Sequence, residues 1–202
     1  MCSSMIHPCL TGHFYIIEGA NSSGKTTLIN ELKKVYPNLS AVYSVPPEYA
    51  AIRALAYNKL SEMASLLMYL SANFEMLRRA DNDFVVFDRS LISSFSVFLS
   101  RKPEEEWNNY ISFFKETLKF MPKISIIFYL TVSEEQRIKR INLKSEKEKE
   151  ADLNELEWEE KKDQARRFLL LQTNIRTVEI DTSNLSVQDL VNKVKAVIDS
   201  VF

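Results

Sequence analysis

Short apolar runs alternate with longer amphipathic stretches along this chain. The apolar runs predict five buried β-strands, at residues 14–17, 41–45, 84–87, 124–130 and 178–180. Between them, apolar residues spaced three or four apart predict helices at 25–36, 48–60, 61–79, 91–100, 104–120, 133–141 and after Ser186. Because strands that are apolar on both faces and separated by helices form parallel sheets, we expect an α/β protein. Its five-stranded parallel sheet should carry helices on both faces.

Composition narrows the classes of function. Of the 202 residues, 46% are apolar and 26% charged, which is typical of one globular domain, here placed at 14–202 after a flexible segment at 1–13. The net charge of −1 argues against a protein that binds nucleic acid through counterion release. No apolar run approaches the roughly 18 residues of a membrane span, and the first residues lack the pattern of a secretory signal. We therefore expect a cytoplasmic protein that binds neither nucleic acid nor membranes.

The clearest motif follows the first predicted strand. Residues 18–27 read EGANSSGKTT, which contains G-x-x-x-x-G-K-T between a strand and a helix. Such a loop surrounds a polyphosphate with backbone N–H groups, and the helix N-terminus adds positive potential. The motif therefore predicts a site for a nucleoside triphosphate. The residues predicted to bind it are Gly19, Ala20, Asn21, Ser22, Ser23, Gly24, Lys25, Thr26 and Thr27.

Individual roles within this phosphate loop follow from its chemistry. Lys25 is expected to reach the β- and γ-phosphates, and the Thr26 hydroxyl to ligate Mg²⁺. The chain has only three glycines, and two of them, Gly19 and Gly24, lie in the loop. We expect glycine at both positions because a side chain would block the ligand.

A second pair of polar residues ends the third predicted strand. Asp88 and Arg89 follow the apolar run 84–87. Since ligands of parallel sheets bind at the carboxyl ends of the strands, both residues should face the phosphate loop. Asp88 is expected to assist the metal or the acceptor oxygen, and Arg89 to hold a phosphate.

Together these features resemble the thymidylate kinase family, to which the deoxynucleoside kinases are related. The resemblance rests on the phosphate loop, on Asp88-Arg89 after the third strand, and on a basic helix followed by a charged lid after the fourth. It covers nearly the whole chain, from Phe14 to Phe202. It implies a P-loop kinase fold and phosphoryl transfer from ATP, with Mg²⁺, to a nucleoside monophosphate such as dTMP.

The resemblance also implies roles for particular residues. Lys25, Asp88, Arg89, Arg140 and Lys144 would be catalytic, with Thr26 and Asp88 on the metal. ATP would also contact Arg137, Arg140 and Ser183, and the lid would span 144–153. The residues implied at the acceptor site are Glu48, Arg53, Asn73, Phe74, Arg89 and Ser93. Helix 61–79 would be a possible homodimer face.

Three departures from the family pattern leave alternatives open. Phe74 stands where an arginine usually reads the thymine base, Ser90 replaces the tyrosine after Asp-Arg, and the lid offers lysines but no arginine. A deoxynucleoside kinase, with Asp88 or Glu48 taking the hydroxyl proton, is one alternative. A nucleotide-binding protein with degenerate kinase activity is another. The charged run 144–150 is equally typical of a solvated helix.

Overall fold

A parallel β-sheet forms the centre of the protein. The computed structural model describes residues 12–43, 45–49, 51–52, 59–78, 80 and 83–201. The strands are β1 (His13–Gly19), β2 (Ser40–Tyr43), β3 (Phe84–Asp88), β4 (Ile124–Thr131) and β5 (Thr177–Asp181). They form one five-stranded parallel sheet with the order β2-β3-β1-β4-β5. Because β1 lies between β3 and β4, the loop after β1 opens into the crevice where the strand order reverses.

Eight α-helices surround the sheet in the part of the chain that the structure describes. They are α1 (Lys25–Val35), α2 (Glu62–Arg78), α3 (Leu91–Leu99), α4 (Ile111–Leu118), α5 (Glu134–Asn142), α6 (Glu146–Asn154), α7 (Leu156–Leu170) and α8 (Val187–Asp199). Two 3₁₀ helices cover Pro47–Tyr49 and Glu104–Tyr110. None of the helices within the described ranges has the length and apolarity of a membrane span.

The core divides into two clusters, one on each face of the sheet. Phe14 and Ile16 of β1 belong to the cluster that also contains buried side chains of α2, α3, α4 and α7. Tyr15 and Ile17, the alternate residues of the same strand, belong to the cluster with α1 and α8. Residues 14–17 of β1 are therefore covered on both faces, which explains their continuous apolar run. This arrangement confirms the predicted α/β sheet with helices on both faces.

The N-terminal end of the sheet begins slightly earlier than expected. His13, placed in the flexible segment 1–13, is the first residue of β1, and its backbone N–H donates to Asp83 O at 2.6 Å. The rest of that segment, except Gly12, lies outside the described residues. On α2, Leu66 and Leu70 are buried whereas Leu67 is 50% exposed, and the homodimer through this helix stays a prediction.

Two stretches of helix differ from the prediction. A continuous helix over 104–120 is wrong, because a 3₁₀ helix precedes α4. In that 3₁₀ helix Trp107 is buried, and its indole N–H donates to Leu99 O at 2.9 Å. The prediction of helix at 48–60 meets only 3₁₀ helix at Pro47–Tyr49 and helical residues 51–52, and residues 53–58 lie outside the described ranges.

The helix α7 was not predicted at all. Its buried positions include Glu159, Lys162 and Arg166 next to Ala165 and Leu169. Charged residues on the buried side conceal the apolar periodicity on which the sequence interpretation depends. This helix turns out to form one wall of the candidate active site.

Candidate active site

The phosphate loop connects β1 to α1, as its sequence predicts. Gly24 precedes α1 with φ of +99°, and Ser22 has φ of 61°, both in the left-handed region. Successive backbone N–H groups in such conformations form a concave anion site, which the first-turn N–H groups of a helix extend. The loop therefore has the backbone geometry of a phosphate cradle.

Gly19 is required for a reason other than the one expected. Its φ is +142°, and a Cβ atom built there would lie 2.2 Å from the carbonyl oxygen of Leu130 in β4. The neighbouring strand therefore excludes a side chain even without a ligand. At Gly24 a Cβ atom would have space, since the nearest atom is 3.8 Å away, and the left-handed φ is what favours glycine.

Lys25 points back into the loop. Its ammonium donates to the carbonyl oxygens of Gly19 and Ala20, the first at 3.0 Å, and it is 6% exposed. Burial, followed by the nearby Arg89 guanidinium, holds the pKa of Lys25 well below its ordinary value. An anionic phosphate in the cradle would favour the charged ammonium and offer it stronger partners than two carbonyls.

The residues predicted to hold magnesium do meet. The Thr26 hydroxyl donates to Asp88 Oδ2 at 3.3 Å, although the two residues are 62 positions apart in the chain. A hydroxyl and a carboxylate are oxygen donors of the kind Mg²⁺ prefers. The described residues hold no cluster of three His, Cys, Asp or Glu side chains that could bind a metal alone. The donor set therefore fits Mg²⁺ shared with nucleotide phosphates.

Arg89 reaches from the end of β3 to the phosphate loop. Its Nη1 donates to Gly19 O at 3.3 Å and to Ser93 Oγ at 3.2 Å, and its Nη2 donates to Asn21 Oδ1. The backbone φ of Arg89 is 70°, an uncommon conformation for a residue with a long side chain. Such strain is concentrated at functional sites.

Glu18 organises this corner of the site and was not among the predicted site residues. It is fully buried, and its carboxylate accepts hydrogen bonds from the backbone N–H and hydroxyl groups of Ser90 and Ser93 at 2.6–3.3 Å. Ser90 also caps α3 by accepting from Ile92 N. Glu18 thus fixes the N-terminal end of α3 against β1, next to Arg89.

On the other side of the loop, Arg140 of α5 joins the loop to the end of β5. Its guanidinium donates to Ser22 O at 3.2 Å and to Thr182 O at 2.6 Å. Thr182 is buried and donates its hydroxyl to Ser23 O at 3.0 Å. Ser183 lies next to it, and its hydroxyl accepts from Ser133 N. Arg137, one turn earlier on α5, has a buried Nε with no hydrogen-bond partner among the described residues.

The predicted lid forms a helix that lies against the phosphate loop. Its helix, α6, covers Glu146–Asn154. Ser22 Oγ donates to Asp152 Oδ2 at 3.1 Å, and Asn21 Nδ2 donates to Glu155 Oε2 at 3.2 Å. Lys144 is paired with the same Asp152 at 2.6 Å. The lid therefore contacts the loop through carboxylates, whereas the prediction considered only its lysines.

A cleft of about 690 Å³ opens beside Arg89, between α2, α3 and α7. Arg89 and Ser93 line it, as predicted for the acceptor site. Sequence reasoning missed the lining residues at and just before α7: Glu155 precedes the helix, and Trp158, Glu159, Lys162 and Arg166 belong to it. Aromatic side chains on the other walls are Tyr69 and Phe98.

Three predicted acceptor residues do not line this cleft. Asn73 is buried, donates to Tyr69 O at 2.6 Å, and lines only a small pocket behind Arg89. Phe74 packs edge-on against the half-exposed Phe120, with ring centroids 5.9 Å apart, and is partly buried against the core. Glu48 is exposed in a 3₁₀ helix away from the cleft lining, and Arg53 lies outside the described residues.

The thymidylate kinase family model matches residues 17–194 of the chain. The chain belongs to the thymidylate kinase family. Membership confirms the predicted family and makes the protein a nucleotide phosphotransferase of the nucleoside monophosphate kinase class. The thymidylate kinase of Blochmanniella floridana is 26% identical over 151 residues, which cover 65% of this chain and 70% of that protein.

Solved structures share the fold of this thymidylate kinase family member. The thymidylate kinase from Candida albicans has a TM-score of 0.71 at 18% identity, covering 94% of this chain and 92% of that one. The deoxyadenosine kinase from M. mycoides with bound dATP also has a TM-score of 0.71, at 19% identity, covering 93% and 99%. At these identities the similarity supports the P-loop kinase fold and leaves the acceptor to the residues of the cleft.

Proposed function

We propose that this protein transfers the γ-phosphoryl group of ATP, with Mg²⁺, to a nucleoside monophosphate of the dTMP type. The observation that carries the proposal is the meeting of Lys25, Asp88 and Arg89 at the junction of the phosphate loop and the cleft. The phosphate loop on one side and the cleft on the other give the donor and the acceptor separate places at the same edge of the sheet.

The donor side supplies positioning and charge. The loop N–H groups and Lys25 would hold the β- and γ-phosphates, and Arg140, which donates to Thr182 O, would flank the adenine with Arg137. Thr26 and Asp88 would hold Mg²⁺, which when bound neutralises phosphate charge and orients the donor. Phosphoryl transfer depends mainly on such alignment, because little covalent chemistry is left to the protein.

The acceptor side supplies alignment and the exclusion of water. Arg89 is oriented by Ser93 and indirectly by Glu18, and it holds the acceptor phosphate in line with the donor. The contacts of Asp152 and Glu155 with the loop bring the lid over the phosphates. A covered site reduces transfer of the phosphoryl group to water.

Transfer to a deoxynucleoside is the second candidate. Phe74, where the family usually has a base-reading arginine, packs against Phe120 instead of lining the cleft. Ser90, typical of nucleoside kinases, caps α3 in the corner next to Arg89. In this alternative Asp88 would accept the proton of the attacking hydroxyl group.

The test is acceptor-dependent ADP release from ATP and Mg²⁺ with a panel of nucleosides and nucleoside monophosphates. We expect release with at least one monophosphate, and stronger release than with its nucleoside. Release with nucleosides alone would establish the second candidate. ATP binding without release in the presence of any acceptor would contradict both.

A further inference from the structure

Arg166 of α7 lies in the wall of the cleft and is almost completely covered. It is 2% exposed, whereas Arg167, its neighbour in sequence, has a side chain that is 46% exposed. Arg167 points to the outer surface, where it forms ion pairs with Asp163 and Glu179. The two arginines therefore lie in opposite environments, and only Arg166 lines the cleft.

The hydrogen-bonding capacity of Arg166 is only partly used. Its Nη2 donates to Glu159 Oε1 at 2.6 Å. Its Nη1 lies 3.8 Å from Asp163 Oδ1, which is too far for a hydrogen bond. Within the described part of the chain, Nε and Nη1 are both buried without a hydrogen-bond partner. Buried donors without partners destabilise a protein, so their presence beside a cleft points to a ligand that supplies acceptors.

Charge around this part of the cleft points to an anion. Burial, together with the positive charges of Arg89 and Arg166, keeps the pKa of Lys25 below its ordinary value. Lys25 of α1, Arg89 between β3 and α3, and Arg166 of α7 are therefore close enough for their positive charges to repel one another. Glu159 and Asp163 form ion pairs with Arg166, and the carboxylates of Asp88 and Glu18 act on Lys25. Arg89, in contrast, is held by neutral oxygens of Gly19, Asn21 and Ser93. A multiply charged anion would relieve this repulsion.

We propose that Arg166 binds the phosphate group of the acceptor from α7, while Arg89 binds the same group from the end of β3. The inference rests on the proposed function and deepens it, because a second arginine makes the cleft a site for a nucleotide and not for a nucleoside. Arg166 then offers phosphate oxygens the unpartnered Nε and Nη1 donors of a planar guanidinium, which the lysines of the lid lack. It is a binding residue for the group that receives the phosphoryl.

The test is the gain in affinity that a phosphate group gives to a nucleoside. Four pairs serve as probes: thymidine and dTMP, deoxyadenosine and dAMP, deoxycytidine and dCMP, and deoxyguanosine and dGMP. Their dissociation constants are measured by calorimetry on the full chain, with the phosphate loop filled by Mg²⁺ and a non-hydrolysable ATP analogue. The ratio of the nucleoside constant to the monophosphate constant is the phosphate gain.

We expect Arg166→Gln to lower the phosphate gain about 10- to 100-fold while the nucleoside constant stays within about twofold. Arg166→Lys should lower it by a smaller factor, because it keeps the charge and loses the donors of the planar guanidinium. Arg167→Gln is the matched control and should leave the gain unchanged. A structural ion pair with Glu159 would instead weaken nucleoside and monophosphate equally.

Several outcomes would overturn the inference. The first is a phosphate gain that Arg166→Gln leaves unchanged. The second is an equal loss of affinity for the nucleoside and its monophosphate in that variant. The third is the absence of any phosphate gain in the unmodified protein. If Arg166→Gln does not fold, Arg166→Lys decides, and an unchanged gain in that variant is equally contradictory. Failure of the proposed function is separate. A phosphate gain that depends on Arg166, without transfer to any monophosphate, would refute the function and keep the inference.

Discussion

The proposed donor half and acceptor half of the site, the phosphate loop and the cleft, meet at the end of β1 but are built in different ways. The donor half is built mainly on one continuous segment, the phosphate loop of residues 18–27, which Arg89, Arg140 and Thr182 support from elsewhere in the chain. The acceptor half is the cleft, whose walls come from α2, α3 and α7. A site formed by local backbone geometry is recognisable from one sequence motif. The residues of a site formed by packing are scattered along the chain.

The two halves also use charge differently. In the donor half a single buried cation, Lys25, stands against backbone carbonyls. In the cleft wall, Lys162 and Arg166 of α7 are each paired with a carboxylate, Lys162 with Glu155 just before the helix and Arg166 with Glu159 within it. Removal of one charged side chain should therefore lower activity more in the donor half, because the loop has no second cation that could replace Lys25.

The largest effect is expected from Lys25→Ala. Loss of the charge that faces the transferred phosphoryl group should lower kcat about 100- to 1000-fold, as for other groups that stabilise developing charge. Steady-state ADP release measures it, and circular dichroism checks that the fold survives. Lys34→Ala, an exposed position on the same helix, is the control. Turnover in the Lys25 variant equal to that of the control would refute the assignment.

A smaller loss is expected from Arg89→Lys in the acceptor half. The variant keeps the charge but cannot reach Asn21, Gly19 and Ser93 with one planar group, so kcat/KM for the acceptor should fall about 30-fold. KM for ATP should change less. Arg78→Lys at the exposed end of α2 is the matched control. A change confined to KM for ATP would place Arg89 in the donor half instead.

Glu18→Gln tests the support between the two halves. Its carboxylate accepts bonds from Ser90 and Ser93, and loss of the charge should lower the free energy of unfolding by about 2 kcal/mol. That corresponds to roughly 4–8 °C in the melting temperature of a chain of this size. Glu135→Gln, at a solvent-exposed helix position, should stay within about 0.5 kcal/mol. Equal stability of both variants would contradict the supporting role.

The smallest effect is expected in the lid. Lys147 of α6 is exposed, and the lid contacts the loop through carboxylates. Lys147→Ala should therefore change kcat less than about twofold. A tenfold loss in ADP release would mean that this lysine enters the site during turnover, and the lid would then belong with the donor half.

The difference between the halves also explains how far the sequence was informative. The glycines and lysine of the phosphate loop, the Thr26–Asp88 pair and the position of Arg89 were all predicted, because strand ends of a parallel sheet meet at one edge. The sheet and most helices followed from apolar periodicity. The supporting role of Glu18 was missed, since nothing local indicates that Ser90 and Ser93 turn towards it.

The acceptor half was harder for physical reasons. Phe74 was aligned with a family position, but the direction of its side chain depends on Phe120, which is distant in sequence. The residues of α7 were hidden because the buried side of the helix carries charge. One signal was available, since Trp158, Lys162 and Arg166 recur every fourth residue and so share one face of a helix.

The most direct measurement of the division into two halves is a crossed binding experiment on Lys25→Ala and Arg89→Lys. Dissociation constants are measured for Mg²⁺–ATP and, separately, for the best monophosphate acceptor. We expect Lys25→Ala to weaken ATP by at least tenfold and the acceptor by less than threefold, and Arg89→Lys to show the reverse pattern. Equal weakening of both ligands in both variants would contradict separate donor and acceptor sites.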